Sequence, residues 1–439
     1  MQMDRATLYS VMAKGWQIVA GPITLLLIAQ HLDPEAQGFY FTFISLVALQ
    51  SFVELGFFIV ITQFASHEWS HLKLNADGFI EGDANSLSRL VSLGRIVFKW
   101  YAVASTIFVV LVGAGGYLFL SQDSPLALDW EWPWLFYIML SGLELWIFPF
   151  LALLEGCGQI SNVYLFRLYR TVIKSLVLWL ILFLGGELWI AVGEVGVSTC
   201  VFLTAIFLKY KNFFTPFISL RLQEIISWKK EIWPMQWRLA AGGIGSYLVT
   251  SIYTPVIFHY HGAKEAGQIG MTLQLTSAVE AIALTWIITK VPQLGVFVAK
   301  KKWRELDQLF FKASGACLGI AFLGSFTLWS LIYGINIIDH PLAHRVLSPL
   351  GFAIFLAGNF LVTAVVCAFY YMRAHKQEPI VLLNVLNAIL NGSLVWYMGS
   401  RFGSTGAATA YLISTAILLF PFSINIFLKF RKNWHRPEK

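Results

Sequence analysis

Arg167, Arg170 and Lys174 stand in one apolar run, YLFRLYRTVIKSLVLWL, three and four residues apart. On a helix that spacing puts all three on one face. Guanidinium groups bind phosphate bidentately, so a cationic stripe of this kind suits a phosphate or diphosphate group, and these three residues are the first candidates for substrate binding. Two other roles stay open. Arg167 is close enough to one end of the run to snorkel to the lipid head groups, and any of the three can form an ion pair within the protein. Lys174 lies too deep in the run for snorkelling to suit it.

Acids sit in apolar runs as well. Glu54 lies in SFVELGFF and Glu144 in SGLELWIF, with Glu194 and Glu280 in two further apolar stretches. Ionisable groups are expensive inside a membrane and are functional candidates there by default. Glu54, Glu144 and Glu280 are candidates for coupling transport to a proton or sodium ion. The alternative is a carboxylate hydrogen-bonded to a neighbouring helix. Glu194 belongs to the same class, in a segment whose limits are less clear. Asn384, Asn387 and Asn391 share a helix face and offer either a polar wall for sugar hydroxyls or bonds between helices. Pro22 and Pro255 are hinge candidates, because proline frees a backbone carbonyl and permits bending.

The chain has no Walker A motif, no GxSxG, no HExxH and no kinase signature, so neither direct ATP use nor a familiar hydrolase chemistry is expected. Cys157, Cys200, Cys317 and Cys367 are far apart and form no CxxC or Cys/His cluster. They are expected to be buried free thiols, with no metal site and no cofactor. The protein is not expected to be an enzyme.

The elements that must position these residues are membrane helices. Of 439 residues, 57% are hydrophobic and only 13% charged, about half the usual globular share, which a soluble fold could not accommodate. No cleavable signal peptide is expected, since the start runs directly into a long apolar stretch. Segments long enough to span a bilayer fall near residues 8–31, 39–66, 95–120, 133–155, 161–185, 188–209, 235–259, 267–292, 309–335, 346–371, 379–399 and 405–429. With a cytoplasmic N-terminus, Lys264, Arg345 and Arg401 alone among the 31 Lys and Arg fall in outer loops. That bias is a positive-inside signature, so both termini are expected in the cytoplasm and the chain in a bacterial inner membrane. The formal charge of +7 thus sets orientation rather than nucleic-acid binding. Every outer loop is short, which leaves no room for an outer catalytic domain. The cytoplasmic stretch FISLRLQEIISWKKEIW is amphipathic and is expected along the inner membrane surface, with Lys229 and Lys230 at the head groups.

An internal repeat organises the spans. EAQGFYFTFISLVALQ from Glu35 aligns without a gap on EAGQIGMTLQLTSAVE from Glu265. Glu35 matches Glu265, Ala36 matches Ala266, Thr42 matches Thr272 and Ala48 matches Ala278. Both copies lead into the second span of a set of six, so the repeat is parallel. The expected architecture is an all-α integral membrane fold of about twelve helices in two six-helix halves. Residues 1–209 form the first half, 210–234 a cytoplasmic amphipathic linker and 235–439 the second half.

The stretch LDPEAQGFYFTFISLVALQSFVELGFFIVITQFAS resembles the second-helix signature of polysaccharide-biosynthesis flippases, within the multidrug/oligosaccharidyl-lipid/polysaccharide exporter superfamily, and WPMQWRLAAGGIGSYLVTSIYTPVIFHYHGAKEAGQIGMTLQL resembles the start of their second half. The resemblance covers the whole chain in topology and about a quarter of it in motifs. It implies two bundles around a central cavity, alternating access, and passage of an undecaprenyl-diphosphate-linked oligosaccharide from the inner to the outer leaflet for O-antigen, capsule or exopolysaccharide assembly. Membrane lipids, a coupling proton or sodium ion and a polysaccharide polymerase are the partners it implies. The alternative of the same fold is a cation-coupled small-molecule or multidrug exporter.

Overall fold

The computed structural model describes residues 5–54, 56–123 and 128–434, with the backbone alone for Asp123, Met235 and residues 238–244. Part of the second outer loop and the end of the basic tail therefore lie outside the described residues. The first half of the sequence forms α1 (Arg5–His31), α2 (Pro34–Val47), the single turn α3 (Ser51–Glu54), α4 (Phe57–Trp69), α5 (Ala84–Leu120), α6 (Glu131–Gly156), α7 (Ile160–Phe183), α8 (Trp189–Lys209) and the short α9 (Lys211–Ser219). The second half forms α10 (Trp233–Thr250), α11 (Tyr253–His261), α12 (Ala263–Ile288), α13 (Val291–Ala299), α14 (Trp303–Ile337), α15 (Pro349–Ala374), α16 (Val381–Ile413) and α17 (Phe420–Trp434).

Among the described residues, nine helical stretches are long and apolar enough to cross a membrane. One of them, Val381–Trp434, is broken at Gly403 (φ 63°) and supplies two crossings. The charged α7 and the interrupted α10–α11 pair complete about twelve. The protein is an all-α, multi-pass membrane protein. Its helices extend further than hydropathy alone suggests. α5 has 37 residues, roughly 55 Å at 1.5 Å per residue against a hydrocarbon core of about 30 Å.

Among the described residues, three crossings are interrupted. The second passes through a 3₁₀ turn at Ala48–Gln50 and the single turn α3, and resumes after Gly56, whose φ of 65° lies in the left-handed region. The seventh breaks between Thr250 and Tyr253, just before Pro255, which has no N–H to donate to the Ser251 carbonyl. The eighth breaks between Ile288 and Val291, ahead of Pro292. Pro22, by contrast, lies inside an unbroken α1.

The helices pack into two compact units, Met1–Leu32 with Phe43–Tyr247, and Asp33–Thr42 with Leu248–Lys439. In the first unit α1 lies along α7. The Trp16 indole donates to Ser175 Oγ at 3.3 Å and the Trp179 indole to Thr24 Oγ1 at 2.8 Å. A hairpin of β1 (Leu72–Leu74) and β2 (Ile80–Gly82) joins α4 to α5. Asn75 Oδ1 shapes its turn by accepting from the N–H groups of Asp77 and Phe79, and Asp83 caps α5 by accepting from Ser86 N at 2.8 Å.

The amphipathic stretch after α9 is mostly non-helical, because side chains of α5 capture its backbone. Ser88 Oγ accepts from the N–H groups of Gln223 and Glu224, and Ser92 Oγ from that of Ile226. The Arg95 guanidinium donates to the carbonyls of Phe217, Ile218 and Leu220 at 2.6–3.2 Å. Arg89 bridges Glu68 and Glu231, each at 2.9 Å. Phe213, Phe214 and Phe217 of α9 are buried, Phe214 and Phe217 against Phe98, Phe214 also against Phe150, and Phe213 against Trp69.

In the second unit the start of α2 crosses α12 closely. A Cβ on Gly38 would lie 1.8 Å from the Ala263 carbonyl oxygen, so no residue but glycine fits. Gln37 Nε2 donates to the carbonyls of Gly267 at 2.9 Å and Arg345 at 3.0 Å. Where the chain turns at Gly403, Glu265 Oε1 accepts from both Ser404 N and Ser404 Oγ. At one end of this unit Asp307 holds the Tyr371 hydroxyl and the Arg431 guanidinium. Cys157, Cys317 and Cys367 are buried free thiols as expected. Cys200 differs and is exposed, since it lies on an outward face of α8.

Candidate functional site

The three candidate cations of α7 do project from one face, about 120° around the helix from the exposed stripe Tyr169, Ile173, Leu176 and Leu180. Each meets a carboxylate from a neighbouring helix. Arg167 pairs with Glu155 at 2.6 Å, Arg170 with Glu144 at 3.6 Å and Lys174 with Glu194 at 3.4 Å. The result is a ladder, one rung per turn of α7, with α6 supplying the first two acids and α8 the third.

The rungs have a direction. The cation side chains are 33–35% exposed, whereas their acids are 14–18% exposed. In each rung the cation is thus the more accessible partner and the acid the more buried one. Aromatic faces support the guanidinium groups. Arg167 lies over the rings of Tyr164 and Phe58, at 5.0 and 5.7 Å, and Arg170 lies over Phe202 at 5.4 Å. Ser198 donates a short hydrogen bond to the Glu144 Oε1 atom, and Tyr137 lies within electrostatic reach of both Glu144 and Glu194.

The structure sorts the intramembrane acids into two kinds. Glu144 and Glu194 belong to the ladder. Glu54 and Glu280 form no hydrogen bond or ion pair among the described residues, and both are partly buried. Glu54 ends α3, at the break of the second crossing, within electrostatic reach of the buried Tyr101 on α5. Glu280 is on α12, the eighth crossing, within reach of Cys317 on α14. Each therefore lies on the second crossing of its half and beside the third.

The three asparagines of α16 have separate environments. Asn391 is fully buried and bonds helices together. Its Oδ1 accepts from the hydroxyls of Tyr253 and Ser414, both at 3.1 Å, and its Nδ2 donates to the Leu248 carbonyl at 2.8 Å. Asn387 is buried, and its Oδ1 has no hydrogen-bond partner among the described residues. Asn384 is exposed. Of the two prolines, Pro255 adjoins a helix break and Pro22 does not.

Glu155 is the ladder residue that the sequence did not single out. Its signal was its place at the inner end of the fourth span, ahead of the cationic run. Among the described residues no group of three or more His, Cys, Asp and Glu side chains could hold a metal ion.

No protein-family model matches the sequence, and no curated protein matches it. Solved structures do match along nearly the whole chain. The lipid II flippase MurJ in an inward closed conformation superposes with a TM-score of 0.63 at 14% identity, over 97% of this chain and 90% of that one. The MATE multidrug transporter DinF-BH gives a TM-score of 0.57 at 12% identity, over 99% and 97%. An inward-facing multidrug resistance transporter of the MATE family gives 0.54 at 13%, over 94% and 98%. At such identities the likeness speaks for architecture alone, and the architecture is one that MurJ and the MATE proteins share.

Proposed function

We propose that the protein is a flippase that carries an undecaprenyl-diphosphate-linked oligosaccharide from the inner to the outer leaflet, for assembly of a surface polysaccharide such as O-antigen, capsule or exopolysaccharide. The observation that carries this reading is the α7 ladder, three cations on one face in an otherwise apolar crossing. Two guanidinium groups and an ammonium one turn apart match the several oxygens of a diphosphate. A cargo with a long apolar tail and an anionic head needs such a seat inside the bilayer. A lipid II flippase has the same architecture, so the fold accommodates a cargo of this kind.

In this reading Arg167, Arg170 and Lys174 hold the diphosphate, and Asn384 and Asn387 meet sugar hydroxyls. Glu54, Glu144 and Glu280 take up the coupling proton or sodium ion, and of these Glu54 and Glu280 have no counter-ion among the described residues. Pro255 and Pro22 serve as hinges of the two six-helix halves during alternating access. The chain sits in a bacterial inner membrane with both termini cytoplasmic, and hands its cargo to a polysaccharide polymerase.

The test is binding of undecaprenyl diphosphate to the purified protein in nanodiscs. Wild type should bind, and Arg170→Ala and Lys174→Ala should each lose about tenfold or more in affinity, as expected for loss of one charge-assisted contact. No binding by the wild type would remove the reading. A second reading, a cation-coupled exporter of small molecules, is favoured by one observation: each ladder cation already has a carboxylate partner. It predicts transport that survives Arg170→Ala and fails with Glu54→Gln or Glu280→Gln.

A further inference from the structure

We propose that Glu144, Glu155 and Glu194 are built-in competitors of the cargo: each occupies the cation that the diphosphate must take, so that binding is an exchange of anions and release is the reverse. The inference rests on the flippase reading and adds how the same site lets go.

The geometry is that of an occupied anion site. The three acids approach their cations at 3.6 Å (Glu144), 2.6 Å (Glu155) and 3.4 Å (Glu194), and in each rung the cation is the more accessible partner. An arriving anion meets cations that are already neutralised. A seat of three uncompensated cations inside a bilayer would hold a diphosphate too tightly to release it. Tight binding of the ground state lowers turnover. The ladder avoids this, because every contact made to the cargo breaks one made to a carboxylate.

The displaced acids have somewhere to go. Glu144 already accepts from the Ser198 hydroxyl, and the Tyr137 side chain lies within electrostatic reach of Glu144 and Glu194. Neither partner needs the cation. The rungs differ in strength. Arg167–Glu155 is a close charge-assisted contact, and Arg170–Glu144 is beyond hydrogen-bond length. Exchange therefore begins at Arg170.

The experiment uses farnesyl diphosphate as probe, with wild type, Glu144→Gln, Glu155→Gln and Glu194→Gln in nanodiscs, and measures affinity and dissociation rate. Competition predicts affinity rising about five- to tenfold in each variant, chiefly through slower dissociation, and slower multiple-turnover translocation. The rise at Glu144→Gln must vanish in the Arg170→Ala background, because the acid then has no cation to guard. A rise that persists there would be a through-space field effect and would overturn the proposal, as would unchanged or weaker binding in the Gln variants. Glu144→Asp, which draws the carboxylate back from Arg170, gives the same comparison if Gln disturbs folding. No binding of the probe by wild type would overturn the flippase reading itself. Binding with no gain in the variants would overturn this inference alone.

Discussion

Arg170 and Glu144 face each other at 3.6 Å, a candidate anion binder against a candidate ion coupler. Spacing along the sequence assigns them separate tasks, and the fold makes them one rung. A cation left without its acid, or an acid without its cation, is costly where water is scarce. Removing Arg170 alone should therefore destabilise the protein by about 1–3 kcal/mol, less than a fully buried pair would show because the rung is partly exposed. Arg170→Ala combined with Glu144→Gln should recover most of that loss. Thermal unfolding of the single and double variants in detergent checks it, and additive losses would show that the two side chains act independently.

Gly38 tests the close crossing of α2 and α12. Its added Cβ would overlap the Ala263 carbonyl oxygen at 1.8 Å, and backbone cannot move aside as a flexible side chain can. Gly38→Ala should abolish or sharply reduce the yield of monodisperse protein. Gly115→Ala, where nothing lies within 4 Å, should leave it unchanged. Equal yields would mean that the helices do not cross here at this distance.

The linker after α9 should be among the protected parts of the cytoplasmic side. Arg95→Ala removes donors to three carbonyls and should raise hydrogen exchange across residues 217–226 by tenfold or more, at about 1.4 kcal/mol per factor of ten. Exchange unchanged from wild type would place the hold elsewhere.

Glu231 gives that linker a pH dependence. The Ser227 N–H, and then Arg89, hold its carboxyl below the ordinary value of 4.5. A depressed folded-state pKa adds stability that is present above 4.5 and is lost as pH falls through the depressed value. Protection of residues 227–232 should therefore fall on acidification below pH 4.5 in wild type, and should depend less on pH in Glu231→Gln. An unchanged acid response in that variant would assign the effect to another group.

Asn391 and Asn384 separate structure from cargo. Asn391→Leu removes the partner of the Tyr253 hydroxyl and of the Leu248 carbonyl, while Ser414 keeps the Tyr411 carbonyl, and should lower thermal stability by about 1–3 kcal/mol. Asn384→Ala, at an exposed position, should leave stability within about 0.5 kcal/mol. A reversal of that order would contradict the bonding seen at Asn391.

Much of this was legible without coordinates, for physical reasons. Hydropathy marks the spans because lipid demands long apolar helices. The spacing of Arg167, Arg170 and Lys174 fixes their shared face because the helix period is local. Their acid partners were not legible. Which side of α6 and α8 turns toward α7 depends on rotation about each helix axis, and helices apolar nearly all round leave it unmarked. The repeat was visible at an offset of 230, and Gln37 and Gly267, which are 230 residues apart, bond to each other where the two copies meet. That contact is a product of packing and has no trace in composition. The break before Gly56 carries no proline to announce it, and the linker's helical periodicity is overridden by Ser88 and Arg95, distant in sequence, which take its backbone groups.

Translocation itself decides whether the α7 cations carry a lipid-linked diphosphate. The purified protein would be reconstituted into liposomes holding an undecaprenyl-diphosphate-linked oligosaccharide in one leaflet, and the sugar would be assayed in the other with an impermeant lectin. Wild type should transfer the sugar, and transfer should be lost in Arg170→Ala and Lys174→Ala with the fold intact. Transfer by wild type that is unaffected when both cations are removed would contradict that role for the α7 cations.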